Sequence, residues 1–422
     1  MLTKRMSVVL SLGAVLMAGC TGPEAGSGAD VTVFEGARLI VGDGSAPIED
    51  AVFVVEGDRF TQAGRRADVE VPGGATRVDL SGKTVMPALV NTHVHLASTR
   101  DDRADQLQHM AYYGAGLVVS LGLDSGDIPF EMRDEAVPDG ALSRTAGRGI
   151  TAPEVGRTEV PVWITNEAEA RTAVQALDDR KVDLVKIWVD TRGDQYEKLS
   201  PDLYGAVIDE AQMHGLRVTA HVFTLEDAKG LLRAGIDAFA HGVRDQDVDD
   251  ELVALWRERP NVVLVPNLPN PGVAVDLGWL SGTVPADRLQ EMQEASRDRP
   301  AAQESFGIQA RNLARLTQAG VTIAFGTDGS TPWAVHQELE DMVRSGMTPA
   351  QVIVAATRNS AELMQITDIG TVAAGKSADF IVLDANPLDE ITNTRRIATV
   401  YLRGMEVDRD ALGARFRGGT SQ

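Results

Sequence analysis

Hydrophobic positions follow two rhythms along the chain. From residue 31 to 85, short runs such as VTVFEGARLIV, AVFVVEGDRF and TRVDLSGKTVM alternate apolar and polar residues, with Gly and Asp between them. That period of two is the signature of strands and hairpins. The same texture returns near the C-terminus in GTVAAGKSADFIVLD and RIATVYLRGMEV, so the two ends are expected to pair into one small β domain. Between them, short apolar runs are followed by helical stretches such as NEAEARTAVQALDDR, SPDLYGAVIDEAQMHG and TLEDAKGLLRAG. The predicted strands are 85–91, 116–120, 143–147, 184–188, 217–220, 238–240, 262–265 and 322–326. Strands alternating with helices in this way predict parallel βα units and an α/β fold closed into a (β/α)8 TIM barrel. An open doubly wound sheet is the structural alternative, but no Gly-rich dinucleotide or P-loop fingerprint accompanies it. The expected boundaries are 31–86 and 367–422 for the β domain and 87–366 for the barrel.

The first twenty residues stand apart. Lys4 and Arg5 precede an apolar run from Met6 to Gly19, too short to span a bilayer comfortably and typical of a secretory signal. The run closes on LMAGC, which resembles a bacterial lipoprotein box, and Cys20 is the only cysteine of the chain. Residues 1–19 are therefore expected to be a signal peptide and Cys20 a lipidated N-terminus. Residues 20–30, small, polar and Gly-rich, would form a flexible tether. Thr21 rather than Asp follows the cysteine, which by the same resemblance implies the periplasmic face of the outer membrane. One cysteine leaves no internal disulfide. The chain is 43% hydrophobic and 24% charged, as in soluble globular proteins. Its 61 acidic against 40 basic residues, a net charge of −21, argue against nucleic acid as a partner, since phosphate binding needs clustered Lys and Arg.

In a barrel, chemistry collects at the C-terminal ends of the strands. The first predicted strand ends in His93 and His95. The fourth carries Lys186 inside an apolar run, the fifth ends at His221, the sixth at His241 and the eighth at Asp328. Four of the 7 histidines thus fall on one predicted rim. Two His at i and i+2 on an extended chain point the same way and can reach one metal, for which imidazole and carboxylate are suitable ligands. A lysine within a strand is costly to bury as a cation. It becomes intelligible as a carbamate, whose two oxygens can bridge two metals. Two divalent ions about 3.5–4 Å apart, zinc foremost, could hold a bridging hydroxide and polarise a carbonyl.

With these residues in place the chain resembles the amidohydrolase superfamily over nearly its whole length after the leader. VMPALVNTHVHL is similar to the family's first-strand motif, and GTVAAGKSADFIVLDANPLDEI to its C-terminal β-sandwich signature. The resemblance implies that His93, His95 and Asp328 hold the more buried metal, that His221 and His241 hold the other, and that carboxylated Lys186 bridges them. It also implies that Asp328 carries a proton from the attacking oxygen to the leaving group. Within the superfamily the chain resembles the imidazolonepropionase-like branch with prolidase-type dipeptidases. Two positions depart from that pattern: Phe223 stands where those dipeptidases have a Tyr that polarises the carbonyl, and Asn91 stands where Asp is common.

The remaining residues have alternative readings. His109 reads as a packed or surface residue and His214 as a helix C-terminal one. His336, after the Asp328 loop, either bonds substrate or lies on a helix surface. Arg244 either pairs a substrate carboxylate or forms a local salt bridge with the DQDVDD run that follows it. Residues 267–300, long and rich in Pro and Gly, form a lid or pocket wall with Trp279 as a contact, or a solvated excursion. The expected function is a metal-dependent hydrolase of an amide, peptide or other C–N bond acting on a small molecule. The alternatives are a lactone or ester hydrolase on the same site and a non-catalytic solute-binding lipoprotein. A membrane would be met only through the lipid, and a homo-oligomer is open.

Overall fold

Alternation along the terminal strands sorts their side chains onto two faces. Val33, Val52 and Val54 form one buried cluster, while Phe34, Phe53, Phe60 and Phe380 form another. The computed structural model describes residues 31–133 and 135–418; the leader, Cys20 and the tether lie outside the described residues. The terminal sheet runs in the order Met405–Glu406, Ile397–Leu402, Phe380–Leu383, Thr84–Pro87, Val31–Leu39, Ile48–Glu56 and Arg59–Arg65, with Thr76–Asp79 paired to Val31–Leu39. Three steps across a flat sheet separate strands by about 14 Å. Yet the rings of Phe34 and Tyr401, three steps apart, lie 5.2 Å from each other. The sheet therefore folds back on itself around an aromatic core, in which Phe34 stacks on Phe53 at 4.9 Å and Phe380 on Tyr401 at 4.6 Å. This is the small β-sandwich.

The barrel follows without a break. Its strands are Leu89–Val94, Ala115–Ser120, Leu142–Thr145, Val185–Val189, Val218–Val222, Ala238–Ala240, Val263–Val265 and Thr322–Ile323. All neighbouring pairs among them that ladder do so in parallel. The Thr92 amide donates to Phe325 O at 2.9 Å and closes the ring between the last strand and the first. The helices between them start on side-chain caps: Asn166, Ser200, Thr224 and Asp249 each accept an amide of the first turn. Among the described residues no helix is long and apolar enough to cross a membrane.

Three differences from the sequence reading have local causes. The predicted strand 85–91 is two strands, because Pro87 has no N–H to continue a ladder and the chain passes there from sandwich to barrel. The predicted strand 322–326 ladders only over Thr322–Ile323, after which Ala324 donates to Leu264 O and the strand turns toward the rim. The tail expected in the β domain leaves it as a helix, Arg409–Arg417, whose Leu412 and Phe416 pack on the helix Arg100–Tyr112, with Phe416 stacked 3.8 Å from His109. Two short strands, Ile150–Thr151 and Val162–Trp163, are too brief to show a period.

Under the rim of the first three strands lies a fully buried ion pair. Arg103 clamps Asp124 through two hydrogen bonds at 3.0 and 3.1 Å and also donates to Ala97 O, two residues past His95. Ser120 and Thr145 donate to the same carboxylate, so its lone pairs are used and the pair ties the second and third strands to the loop that follows His95.

Gly122 shapes the neighbouring floor. Its φ is +90°, and a Cβ there would lie 2.6 Å from the Trp188 ring and 2.8 Å from Lys186 Cγ. Gly122→Ala should therefore combine overpacking with backbone strain and cost about 2–4 kcal/mol, read as a lower urea midpoint. A variant as stable as the parent would show that the floor has slack.

Candidate metal centre

His93, His95, His221 and His241 lie at or just past the ends of their strands, Lys186 lies within the fourth strand, and Asp328 sits in the loop after the last one. His93 sits on the first strand, 1% exposed, with Nε2 at 3.2 Å from Asp328 Oδ1. His95, one turn of the pleat further out, approaches the same oxygen at 3.1 Å. His241 faces Asp328 Oδ2 at 3.6 Å. Ring centres lie 5.3 Å apart for His93 and His95, 5.3 Å for His93 and His241, and 4.6 Å for His221 and His241. The backbone is bent to make this convergence: His241, Asn267 and Asp328 have φ of 125°, 43° and 51°. Asp328 and Thr327 donate their amides to His93 O, which locks the last strand's loop onto the first strand. Such strained conformations persist where surrounding contacts over-determine them, as at functional sites.

The donor set fits a divalent metal. His93 Nδ1 faces Asn267 Oδ1 at 3.0 Å. That contact puts the ring proton on Nδ1 and leaves an Nε2 lone pair turned toward a carboxylate oxygen, an arrangement that calls for a cation between them. His93, His241 and Asp328 present ligand atoms all within 4.8 Å of one another. Burial drives His93 and His241 well below their ordinary value and brings His221 to about 4, so all three are neutral at pH 7. Burial works against the Asp328 charge, but the His95 hydrogen bond and the positive field of Lys186 hold it well below the usual carboxylate range.

Lys186 lies on the barrel axis side of the fourth strand. It is 0% exposed, and its Nζ is buried without any hydrogen-bond partner. Its nearest aromatic face is Trp188, 5.5 Å away. Burial lowers its pKa to about 7, so a large share of the amine is neutral and nucleophilic at physiological pH.

His221 turns instead to residues the sequence reading passed over. Its Nε2 meets Asp190 Oδ2 at 3.1 Å and Arg192 Nη1 at 3.3 Å. Arg192 also pairs with Asp190 at 2.9 Å and with the buried Glu154 at 2.9 Å. Asp190 directly follows the fourth strand in VDTRGD, and its place at a strand end was the signal available. Arg192 has φ 55°, and Glu154 comes from a loop, so neither follows from strand periodicity.

Two expected substrate contacts lie elsewhere. His336 is fully buried; its Nδ1 meets Thr394 Oγ1 at 3.1 Å, and its ring packs against Tyr113 and Trp279. It is neither on a helix surface nor among the rim residues. Trp279 meets Tyr113 and His336 edge-on and carries Arg395 over its ring at 4.4 Å, in the same aromatic cluster. The segment 267–300 is neither lid nor loose excursion. Asn267 supports His93; Leu268, Asn270, Pro271, Val273 and Val275 wall a cavity of about 200 Å³ with Thr327 and Glu338; and Gly278–Gly282 packs toward the helix Arg100–Tyr112. Phe223 does face the site, its ring 4.2 Å from His221 and 5.2 Å from His241. His109 is packed and His214 caps its helix beside Asp178, as read from sequence.

Residues 156–407 match the amidohydrolase family. A Mycobacterium tuberculosis protein described as uncharacterised is 30% identical over 346 residues, 76% of this chain and 83% of that protein. The imidazolonepropionase of Deinococcus radiodurans is 28% identical over 387 residues, 85% of this chain and 92% of that enzyme. Among solved structures, a provisionally named prolidase from Bifidobacterium longum superposes with a TM-score of 0.75 at 26% identity, covering 92% of this chain and 99% of that one.

Acid should loosen the metal-free fold before it neutralises the acids. His221 falls from its ordinary 6.5 to about 4 on folding, and His93 and His241 fall too. Between those values the unfolded chain binds protons that the folded chain refuses. The stability is complete above pH 6.5 and is lost as pH drops toward 4, on the order of 3 kcal/mol for His221 alone. Urea midpoints at pH 7 and 4.5 check this; equal midpoints would contradict it.

Proposed function

Because the chain belongs to the amidohydrolase family, whose relatives support hydrolysis of C–N bonds, we propose that its rim cleaves an amide or peptide bond of a small molecule in a metal-dependent reaction. The observation that carries this reading is Lys186: a buried, unpartnered amine of lowered pKa within the field of three imidazoles, His93, His221 and His241, and of the Asp328 carboxylate. His93, His95, His221, His241 and Asp328 would hold two divalent ions, zinc foremost, with Lys186 bridging them as its carbamate. When bound, the ions polarise the carbonyl and acidify water.

The chain's own groups have defined roles. The neutral Lys186 amine adds through its lone pair to the carbon of CO2 and loses a proton, which leaves a carboxylate where a bare ammonium would be untenable. Asp328, with 39% of its side chain exposed, is the most exposed of the six residues. It would take the proton of the attacking water and hand it to the leaving nitrogen. Neutral His93 and His241 keep their lone pairs available because burial disfavours their protonation. Phe223 offers no O–H to the developing oxyanion, and this single feature favours a second reading, an activated ester or lactone as substrate. A non-catalytic solute-binding role is disfavoured by the presence of all six rim residues. We also propose that LMAGC directs cleavage before Cys20 and lipidation of its sulfur, which would place the enzyme on the periplasmic face of the outer membrane.

Turnover by metal-loaded protein on dipeptides, N-acyl amino acids, cyclic amides and lactones tests the reaction and separates amide from ester chemistry. Lys186→Ala should lose metal and reduce kcat/KM by about 100-fold or more; normal metal content and turnover would overturn the bridging role. Because only the neutral amine reacts with CO2, bicarbonate-dependent metal uptake should rise from pH 6 to 8, across the Lys186 value of about 7. Uptake indifferent to bicarbonate would argue for a plain lysine. Mass spectrometry of the membrane fraction should find lipid on Cys20; an unmodified, membrane-free mature chain would refute the anchor.

A further inference from the structure

Among the described residues, the Asp190 side chain bonds only Arg192 and His221. Asp190 directly follows the fourth strand, and its side chain is 14% exposed. The Arg192 amide donates to its Oδ1 at 3.0 Å, and Arg192 Nη1 donates to its Oδ2 at 2.9 Å. Arg192 is itself held: its Nε donates to Glu154 Oε1 at 2.9 Å, and Arg157 donates to Glu154 Oε2 at 2.5 Å. Two carboxylates and two guanidiniums therefore balance in charge, and the row ends with Asp190 Oδ2 facing His221 Nε2 at 3.1 Å. A buried ion pair contributes little beyond what apolar packing would, so stability alone does not account for four charged side chains lined up on one imidazole.

Two contacts at His221 Nε2 call for opposite protons. Asp190 Oδ2, at 3.1 Å, can only accept, whereas Arg192 Nη1, at 3.3 Å, can only donate. The carboxylate wins. A lone pair on Nε2 would face the lone pairs of the carboxylate, while a proton there completes a charge-assisted hydrogen bond, roughly twice as strong as a neutral one. Arg192 Nη1 already has a shorter bond to the same oxygen. With the proton on Nε2, the His221 lone pair lies on Nδ1, which has no hydrogen-bond partner among the described residues. That ring packs 4.6 Å from His241. His93 is set the other way, with Asn267 on its Nδ1 and its Nε2 turned to Asp328.

We infer that Asp190, fixed by Arg192 and Glu154, is the positioning residue of His221: it takes the Nε2–H hydrogen bond and leaves the Nδ1 lone pair as the ligand, so His221 and His93 would hold their ions through opposite ring nitrogens. This rests on the metal-dependent reading above. Asn267 and Asp190 lie after different strands, the seventh and the fourth, so the two ions can be disturbed separately.

Zinc titration of the full chain against a chelating dye resolves the binding steps. Asp190→Ala should weaken one step by about 10–100-fold and leave the other within about threefold. Asp190→Asn, which keeps an acceptor oxygen, should fall between Asp190→Ala and wild type, and Arg192→Gln should weaken the same step. A network that only braces its loops would lower the urea midpoint and move both steps or neither. Spectra correlating ring protons with ring nitrogens in 15N-histidine-labelled, zinc-loaded wild type need no variant and should show His221 with its proton on Nε2. A proton on His221 Nδ1, or an Asp190→Ala chain that binds both ions as wild type does or weakens both alike, overturns the role of Asp190 and leaves the metal reading intact. If wild type binds fewer than two ions, the two-ion reading falls, and the His221 spectrum alone decides the role of Asp190. If Asp190→Ala does not fold, Arg192→Gln and the wild-type spectrum decide it, and a proton on Nδ1 is the overturning result.

Discussion

A lysine amine in the dry interior of a barrel sets the terms for its whole neighbourhood. Lys186 has no hydrogen-bond partner, and an ammonium there would be a desolvated charge held only by the field of Asp328. The surroundings are built to tolerate a different group. Gly122 leaves the space beside the Lys186 stem, and Gly149 leaves the space for the Trp188 ring that flanks it. The imidazoles around it are kept neutral by the same burial, so the pocket gains no further cations. Asp328 is consequently ionised and shared among three rings.

Much of this was legible in the sequence because a barrel converts position in a strand into position on a rim. Once an apolar run is recognised, the residue at its C-terminal end has a place in space, and His93, His95, His221 and His241 needed no more than that; Lys186 stood out instead as a charge inside an apolar run, and Asp328 as the acid in the loop after the last one. What lay beyond the strands was harder. Glu154 and Arg192 reach the site from loops whose path depends on backbone turned to positive φ, and no periodicity reports such a turn. His336 shows the opposite error. Nearness to Asp328 along the chain suggested a shared site, whereas the helix Ala334–Arg344 gives it a direction. His336 falls on the stripe with Leu339 and Met342, and a residue on that stripe points into packing.

Rigidity and strain are divided between the two sides of the rim. Beneath the first three strands, Arg103 and Asp124 form a buried pair, joined by two hydrogen bonds, that fixes the exit from His95. On the other side, His241, Asn267 and Asp328 hold conformations that side chains rarely adopt. They are secured by backbone bonds from Thr327 and Asp328 to His93 O and by Glu338, which accepts the Leu268 amide through both carboxylate oxygens at 3.1 Å. Sub-ångström placement of reacting groups generally requires this kind of support from surrounding packing.

The strand Thr84–Pro87 lies between Val31–Leu39 on one side and Phe380–Leu383 on the other, and Lys83 pairs with Asp384, 301 positions further along the chain. A chain emerging N-terminus first, from a ribosome or through a translocation pore, therefore carries an unfilled sheet edge for nearly the whole of its synthesis. The aromatic half-core of Phe34, Phe53 and Phe60 waits exposed for Phe380 and Tyr401 over the same interval. Pairings so distant in sequence form late and slowly, and open edges recruit foreign strands. The closing event of biogenesis is thus the arrival of Phe380–Leu383, and the hazard before it is aggregation through the edge that this strand will cover.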